Sequence, residues 1–325
     1  MPTDYLLYSY SFMIYPKYIK NLKIILLGLM IPLGAFADQN FLPGPLVTAD
    51  WLAENIEDVS ILDIRKDTDS FVSVGHIEDA VLVNAKKVRV TRVIEGKELT
   101  RMLPERNIFE QFVSKHGVNS DDVIVLTHPG NTPGDIAGAA RLYWQFKYYG
   151  FDQVALLDGG NAAWIESLED LTTEVNTVAA GEFSTGAEDF AILATITDVE
   201  AASETGNATL IDTRELRFHI GLEKRDYVYA YGHIPGSKNV PYQFLSPSKG
   251  AQTYLSKEIL EQTFNALNVD PAKPAILYCN SAYECASVWF VLHELLDNTN
   301  VKVYDGSLHE WTMNAERPMA TRLGQ

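Results

Sequence analysis

The chain has 325 residues with 26 Lys or Arg against 43 Asp or Glu, so its formal net charge is −17 at pH 7. This length allows two domains of ordinary size with substantial cores. The acidic balance argues against nucleic acid and anionic membrane surfaces as partners, because both require a basic footprint on the protein.

The N-terminal segment has the parts of a secretory signal peptide. Three lysines precede a short apolar run, and Ala35-Phe36-Ala37 follows as a small-x-small cleavage site. We predict a signal peptide over 1–37 and export, to the periplasm if the source is a Gram-negative bacterium, with no stable membrane insertion after cleavage. An uncleaved anchor is the alternative, which Pro32 and the shortness of the run disfavour. The 2 cysteines are too few for a secreted disulfide framework.

Beyond the leader, short apolar runs alternate with amphipathic helical stretches, which is typical of a mainly parallel sheet covered by helices on both faces. The predicted elements of the first half are a helix at 50–57, strands at 60–64 and 123–126, a helix at 136–149 and a strand at 154–157. Those of the second half are a helix at 196–203, strands at 208–213 and 275–278, a helix at 284–295 and a strand at 301–304.

The two halves repeat the same motifs in the same order. The repeated pairs are Asp63-Ile64-Arg65 and Asp212-Thr213-Arg214, Gly75-His76-Ile77 and Gly232-His233-Ile234, and Asp158-Gly159 and Asp305-Gly306, each ahead of a tryptophan. The sequence therefore predicts two copies of one domain, at 38–170 and 191–325, joined by a linker at 171–190. Because the histidines and tryptophans recur in both copies, we interpret them as structural.

Cys279 stands where a predicted buried strand ends, the edge at which open α/β sheets place their ligands. The short, mostly small or polar residues after it favour a tight loop whose N–H groups converge beside a helix N-terminus. Such a loop attracts an anion and favours the thiolate form of cysteine. The alternative is an inert core cysteine.

The order of Asp-x-Arg, Gly-His-Ile-Pro-Gly-x-x-Asn-Val-Pro, a cysteine loop and Asp-Gly ahead of Trp resembles the rhodanese family in its tandem-domain thiosulfate sulfurtransferase form. The resemblance extends from Leu46 to Pro318. It implies two tandem rhodanese-like domains, the second catalytic and the first a degenerate copy that helps to close the cleft. In agreement, residues 127–133 of the first copy carry no thiol and two prolines.

A thiolate in such a loop can attack the sulfane sulfur of a donor such as thiosulfate and hold it as a persulfide, from which a thiol or cyanide acceptor removes it. This chemistry assigns Cys279 as the nucleophile and needs neither a metal nor an organic cofactor, since two cysteines do not complete a zinc site. The backbone N–H groups that would bind the substrate and stabilise the persulfide are those of Asn280, Ser281, Ala282, Tyr283 and Glu284.

By similarity to tandem sulfurtransferases, an arginine shortly after Asp-x-Arg and just before an aromatic residue binds the substrate. Arg217, directly before Phe218, fits this position, although the spacing from Asp212-Thr213-Arg214 is one residue shorter than usual. The alternative for Arg217 is a solvated surface charge. Arg214 matches the family's structural arginine, and we expect it to pair with a carboxylate.

Ala282 stands where the family usually has a glycine, and Glu284 replaces a basic or hydroxyl residue. A carboxylate that points into the cleft repels thiosulfate. Cys285 is either a small buried side chain or a resolving thiol that attacks the Cys279 persulfide.

A non-catalytic protein that binds a sulfur species or a partner stays open as an alternative. A cysteine phosphatase or arsenate reductase is disfavoured, because such loops carry an arginine at the position of Cys285.

Overall fold

A computed structural model of the protein describes residues 41–94 and 96–322. The predicted signal peptide at 1–37 lies outside these residues. Within them the chain forms two five-stranded sheets and one two-stranded hairpin. The tandem α/β architecture expected from the sequence is confirmed.

The described part of the first half contains seven strands. They are β1 (Leu46–Val47), β2 (Ser60–Arg65), β3 (Val81–Asn84), β4 (Val90–Ile94), β5 (Lys97–Met102), β6 (Ile124–Thr127) and β7 (Val154–Leu157). Five of them form a parallel sheet in the order β1-β7-β6-β2-β3, whereas β4 and β5 pair as a separate antiparallel hairpin. The helices around this sheet are α1 (Ala49–Asn55), α2 (Ser70–Ser73), α3 (Arg106–Ser114), α4 (Pro133–Tyr148) and α5 (Gly160–Glu166).

The second half repeats this design. Its strands are β8 (Leu193–Ala194), β9 (Thr209–Asp212), β10 (Lys238–Asn239), β11 (Ala275–Tyr278) and β12 (Val301–Tyr304). They form a parallel sheet in the order β8-β12-β11-β9-β10, which matches the order of the first sheet strand for strand. The helices are α6 (Ile196–Thr205), α7 (Leu216–His219), α8 (Lys257–Ala266), α9 (Glu284–Phe290) and α10 (Ser307–Trp311).

The central strands β6 and β11 are buried at every position, as expected for parallel strands with helices on both faces. Helix α4 is buried on nearly all sides because it lies between its own sheet and the second domain. Thr132 and Asp135 form a capping box at its start, and Pro133 occupies the first turn, where a missing N–H costs nothing. These residues start the helix three positions before the predicted residue 136.

The two domains share one hydrophobic core. The largest buried cluster contains Tyr143 and Trp144 of α4 together with Trp289 and Phe290 of α9. Tyr143 meets the edge of Phe290 at a centroid distance of 4.9 Å. Aromatic pairs of this geometry add to the free energy of area burial, so the interface between the two copies has the character of a domain interior.

The repeated motifs hold the fold in the same way in both copies. Arg65 donates to Asp63 at 2.7 Å and to the Gly75 carbonyl at 2.7 Å. Arg214 donates to Asp212 at 2.6 Å and to the Gly232 carbonyl at 2.8 Å. Each arginine therefore ties a strand end to the turn that follows it, which is the structural pairing expected for Arg214.

The repeated histidines also serve the fold. His76 Nδ1 bonds to the Phe71 carbonyl at 2.9 Å, and His233 Nδ1 bonds to the His219 carbonyl at 2.7 Å. Each imidazole stacks on the aromatic ring of the same partner, with centroid distances of 3.5 and 3.7 Å respectively. The two equivalent contacts make the histidines structural in both domains.

Several predicted bounds differ from the structure. The first helix ends at Asn55 and continues as a 3₁₀ turn (Ile56–Asp58), and the helix predicted at 284–295 becomes a π-helical turn over its last five residues, Val291–Leu295. The β4–β5 hairpin was not predicted, because its strands mostly face solvent and lack the continuous apolar run of a buried strand. The predicted linker at 171–190 is irregular up to a 3₁₀ turn (Phe190–Ile192).

Candidate active site

Cys279 is the first residue after β11, and its side chain has no exposed surface. The Leu308 N–H donates to its carbonyl at 3.2 Å, which attaches the start of the loop to α10. We call residues 279–283 the cysteine loop. The sequence placed this cysteine at the carboxyl end of a central strand, and the structure has it there.

Two backbone N–H groups of the cysteine loop point at the Cys279 sulfur. Those of Ser281 and Tyr283 lie 3.5 and 3.3 Å from Sγ. Donors at these distances stabilise a negative charge on sulfur without any side-chain cation. The N–H of Ala282, which was expected to join them, instead donates to the Ser307 hydroxyl at 3.0 Å.

Ser307, at the start of α10, holds the loop in this shape. Its hydroxyl oxygen accepts from the N–H groups of Cys279 and Ala282, and its proton goes to the Tyr304 carbonyl. Ala282 and Ser307 both have positive φ angles, +50° and +49°. Residues with a Cβ rarely adopt this region, so the loop conformation carries some backbone strain.

A cavity of about 270 Å³ opens above the cysteine loop. We call it the donor cavity, and its lining residues are Lys66, Arg89, Arg101, Arg225, Tyr227, Ser281, Tyr283 and Glu284. Four of these carry a positive charge and one a negative charge. In a chain with a net charge of −17 this is a local concentration of cations. The cavity is therefore suited to a small anion.

The cations of the donor cavity come from both domains. Lys66 and Arg89 lie over the ring of Tyr283, at 4.5 and 4.7 Å from its centroid. Arg89 also donates to the Ser281 carbonyl at 3.2 Å. Arg101, on the β4–β5 hairpin, lies 4.1 Å from the Tyr227 ring centroid. The first domain thus supplies three of the four cations to a cavity built on the second domain's loop.

Glu284 is half-buried and lines the donor cavity. Burial lowers the pKa of Lys66, while the Glu284 carboxylate raises it. Burial and the neighbouring Arg141 lower the pKa of Arg89, whereas Glu284 raises the pKa of Arg89. Glu284 therefore offsets part of the positive charge that the cations give to the cavity.

Arg217 is not among the described residues that line the donor cavity. Its guanidinium pairs with Glu223 at 2.7 Å, and its side chain is 53% exposed. The expectation that Arg217 binds the substrate is corrected here to a solvent-exposed ion pair on α7. The arginine of the second domain that lines the cavity is Arg225.

Arg141 of α4 fixes the back of the cysteine loop. It is fully buried, donates to the Ala282 carbonyl at 3.0 Å and pairs with Asp305 at 2.7 Å. Asp305 in turn accepts from the Leu103 N–H at 2.7 Å. The first domain therefore contacts the cysteine loop directly. No local sequence pattern predicts these contacts.

Cys285 lies on the first turn of α9 and is fully buried. Burial raises the pKa of its thiol, and its hydrogen bond to the Cys279 side chain raises it further. Both cysteines are free thiols in this structure. Cys285 is thus placed to donate its S–H to the Cys279 sulfur.

The first copy has a different residue at the equivalent position. His128 is the first residue after β6, as Cys279 is the first after β11. It is buried, its Nδ1 has no hydrogen-bond partner among the described residues, and burial lowers its pKa to about 4. The first copy therefore holds a neutral imidazole where the second holds a thiol.

Sequence reasoning found the loop but missed the cations of the donor cavity. Lys66 carried a usable signal, since it follows Asp63-Ile64-Arg65 at the end of β2 and strand ends form ligand sites. Arg89 and Arg101 carried none, because Arg89 directly precedes β4 and Arg101 lies within β5 of the unpredicted hairpin.

The described residues were searched for a metal-binding cluster and for a membrane-spanning helix. No three His, Cys, Asp or Glu side chains within 41–94 and 96–322 converge to hold a metal ion. Among the helices of the same residues, none combines the length and apolar character that crossing a bilayer requires.

Comparison with known proteins identifies the fold. The model of the rhodanese-like domain matches the chain twice, at residues 48–167 and 195–314. The chain therefore belongs to the rhodanese family and carries two such domains in tandem.

Relatives resemble it along nearly their whole length. A putative thiosulfate sulfurtransferase of Saccharopolyspora erythraea is 33% identical over 274 residues, which cover 82% of this chain and 92% of that protein. The 3-mercaptopyruvate sulfurtransferase of Escherichia coli K12 is 32% identical, covering 84% and 96%. The sulfur carrier protein TtuD of Thermus thermophilus is 31% identical, covering 83% and 94%.

The structural comparison agrees with these matches. The crystal structure of SseA, a 3-mercaptopyruvate sulfotransferase from Escherichia coli, superposes with a TM-score of 0.69 at 29% identity. It covers 81% of this chain and 98% of that one.

Proposed function

We propose that this protein is a sulfurtransferase that moves a sulfane sulfur from a small anionic donor to a thiophilic acceptor through a Cys279 persulfide. The observation that carries the proposal is the donor cavity, which four cations line together with Ser281 and Tyr283 of the cysteine loop. The names of the relatives, which are sulfurtransferases of thiosulfate or 3-mercaptopyruvate and a sulfur carrier, support the same class.

The residues suit each half of the reaction. The Cys279 thiolate, stabilised by the N–H groups of Ser281 and Tyr283, attacks the outer sulfur of the donor. With thiosulfate the sulfur–sulfur bond breaks, and its electron pair leaves with sulfite. With 3-mercaptopyruvate the attacked atom is the thiol sulfur, so the carbon–sulfur bond breaks, and its electron pair leaves with the enolate of pyruvate, which then takes up a proton at that carbon. The same two N–H groups then face the persulfide, and an acceptor removes the outer sulfur and restores the thiolate.

Both thiosulfate and 3-mercaptopyruvate are anions that the cations of the donor cavity can bind. Glu284 favours the donor of lower charge, because a carboxylate on the cavity wall repels a dianion more than a monoanion. We therefore expect 3-mercaptopyruvate to have the higher kcat/KM of the two. Steady-state kinetics with each donor and cyanide as acceptor would measure the ratio.

The decisive experiment is intact-mass analysis of the reduced protein after incubation with each donor. One added sulfur is expected, it should vanish in Cys279→Ser, and it should persist in the matched variant Cys285→Ser. Failure of every donor to add sulfur would overturn the proposal. Loss of the adduct in Cys285→Ser as well would assign Cys285 a direct role in the chemistry.

A non-catalytic sulfur-binding protein is the second candidate. The observation that favours it is the complete burial of Cys279, which would shield a bound persulfide from solvent. Multiple turnovers in the presence of cyanide would exclude it, whereas a single sulfur that stays on the protein would favour it over the enzyme.

We also propose that the protein is exported after cleavage at Ala37. The charged, apolar and small-residue segments of residues 1–37 are the basis for this proposal. N-terminal sequencing of protein recovered from the extracytoplasmic fraction should begin at Asp38. Full-length protein confined to the cytoplasmic fraction would contradict it.

A further inference from the structure

Each of the four cations that line the donor cavity lies over an aromatic ring. The ring of Tyr283 takes two of them, with the Lys66 ammonium 4.5 Å and the Arg89 guanidinium 4.7 Å from its centroid. Cations within about 6 Å of a ring centroid are attracted by the electron-rich face of the ring. The aromatic contact therefore helps to fix where both positive charges lie.

The other two cations of the donor cavity follow the same pattern. The guanidinium of Arg101 lies 4.1 Å from the ring centroid of Tyr227, and that of Arg225 lies 5.0 Å from the ring centroid of Phe218. The pattern thus includes cations from both domains and three different rings.

None of the four cations forms an ion pair with a carboxylate of residues 41–94 or 96–322. Glu284, which lines the same cavity, acts on Lys66 and Arg89 only through its charge. Other arginines that lie over rings also pair with a carboxylate, namely Arg65, Arg141, Arg214 and Arg317. A carboxylate partner cancels the charge of a cation, whereas an uncharged ring leaves that charge available to a ligand.

Tyr283 combines this contact with a fixed position beside the nucleophile. Its side chain is 6% exposed, and its hydroxyl lies against Gly138 of α4, where any added side chain would collide with it. Its backbone N–H lies 3.3 Å from the Cys279 sulfur. Burial raises the pKa of Tyr283, so the ring stays uncharged near neutral pH. One residue therefore links the positions of two unneutralised cations to the position of the thiol.

We propose that Tyr283 determines the charge specificity of the donor cavity: its ring positions Lys66 and Arg89 without neutralising them, so that an anionic donor supplies the missing negative charge. Tyr283 acts through these two cations and is a positioning residue. This inference rests on the proposed sulfurtransferase function and adds the residue that selects a negatively charged donor.

The test measures the attraction of an anion to Cys279 and does not require sulfur transfer. The reduced protein is alkylated with iodoacetate, which is an anion, and with iodoacetamide, which is its neutral counterpart, and the rate at Cys279 is read from peptide masses. Changes in the thiolate fraction of Cys279 or in access to it affect both reagents alike. The ratio of the two rates therefore reports the electrostatic attraction of the donor cavity.

Three variants separate the ring face from other properties of Tyr283. Tyr283→Leu removes the face and keeps the backbone N–H, whereas Tyr283→Phe keeps the face and removes the hydroxyl. The matched control is Tyr231→Leu, because the Tyr231 ring lies 5.6 Å from the Lys224 ammonium and is not among the described residues that line the donor cavity.

We expect Tyr283→Leu to lower the ratio of the iodoacetate rate to the iodoacetamide rate about 5-fold and to raise KM for thiosulfate by a similar factor. Tyr283→Phe should restore both quantities to within about 2-fold of wild type, since its ring face still attracts the cations. Tyr231→Leu should leave the ratio unchanged.

An unchanged ratio in Tyr283→Leu, including equal slowing with both reagents, would overturn the proposal because only a structural role would remain. An equal fall in Tyr283→Phe would also overturn it, because the hydroxyl and not the ring face would then be responsible. If Tyr283→Leu does not fold, pentafluorophenylalanine at position 283 keeps the ring's shape but makes its face electron-poor, and it should lower the ratio as well. A wild-type protein that prefers iodoacetate but gains no sulfur from any donor would contradict the proposed function instead.

Discussion

At the scale of single residues, the cysteine loop is held in a backbone conformation that its sequence does not favour. Ala282 is fully buried at a φ of +50°, where glycine is the residue without a steric cost. The carbonyl and N–H of Ala282 are both bonded, to Arg141 and Ser307, and these bonds hold the residue in place. The loop therefore stores strain beside its nucleophile.

We predict that Ala282→Gly stabilises the protein by about 0.5–1 kcal/mol, because the strain of a Cβ at positive φ disappears. The persulfide yield should stay unchanged, since the backbone bonds remain. Urea unfolding gives the free energy. The matched control is Ala286→Gly on α9, which should destabilise the protein by about 1 kcal/mol; equal losses in both variants would contradict the strain at Ala282.

Glu284 tunes the charge of the donor cavity. Glu284→Gln should raise kcat/KM for thiosulfate about 5-fold at neutral pH, which corresponds to removing about 1 kcal/mol of repulsion. The same change should shift the alkaline loss of thiosulfate binding to lower pH. Glu284 raises the pKa of Lys66, so without it Lys66 loses its proton, and its attraction for the anion, earlier as the pH rises.

The measurement is kcat/KM for thiosulfate from neutral to alkaline pH. Glu223→Gln is the control, because its carboxylate pairs with the exposed Arg217. An alkaline limb that does not move in Glu284→Gln would show that Lys66 does not hold the donor.

At the scale of elements, the start of α10 determines the shape of the cysteine loop. Ser307 has a φ of +49° and occupies the place of Gly160 in the first copy, which has a φ of +57°. The first copy thus keeps glycine where the backbone requires it, whereas the second copy accepts the strain of a serine. The hydroxyl of that serine binds the N–H groups of Cys279 and Ala282.

We predict that Ser307→Ala and Ser307→Gly both lower kcat, by about 10-fold, because each leaves two buried N–H groups unbonded. Ser307→Gly should nevertheless be the more stable of the two by about 1 kcal/mol, since glycine relieves the positive φ. Kinetics and urea unfolding of the pair separate the two effects. Wild-type kcat in the glycine variant would show that the hydroxyl is dispensable.

At the scale of the whole molecule, the first domain, which has no thiol in its equivalent loop, contributes to the candidate active site. It supplies Lys66, Arg89 and Arg101 to the donor cavity. Its Arg141 reaches the cysteine loop and Asp305 of the second domain. The first copy, although it has no thiol in this loop, therefore contributes most of the cations around the cysteine loop.

We predict that Arg141→Met destabilises the protein by about 3–5 kcal/mol, because it leaves the buried Asp305 carboxylate without its cation. The yield of persulfide should fall as well, since the Ala282 carbonyl loses its donor. The control is Arg106→Met, which removes a partly exposed pair with Glu188 and should cost less than about 1 kcal/mol. Similar losses in the two variants would refute a buried cross-domain role for Arg141.

The sequence by itself determined the architecture and the position of the candidate nucleophile. Alternating apolar and amphipathic stretches define parallel α/β domains, and the repeated Asp-x-Arg and Gly-His-Ile motifs define two copies. Cys279 at a strand end defines the site. Each of these features depends on residues that are close in sequence, because the hydrophobic periodicity of strands and helices and the residue preferences of turns are local properties of the chain.

Only the tertiary structure decided which charges surround Cys279. Arg89 and Ser281 are 192 residues apart in sequence, and Arg141 and Ala282 are 141 apart. Their contacts exist because α4 packs against α9 and brings two separate sheets together. The same packing admits Arg225 to the donor cavity and leaves Arg217 at the surface. Side-chain positions across a domain interface depend on that packing, and no spacing along one chain segment encodes them.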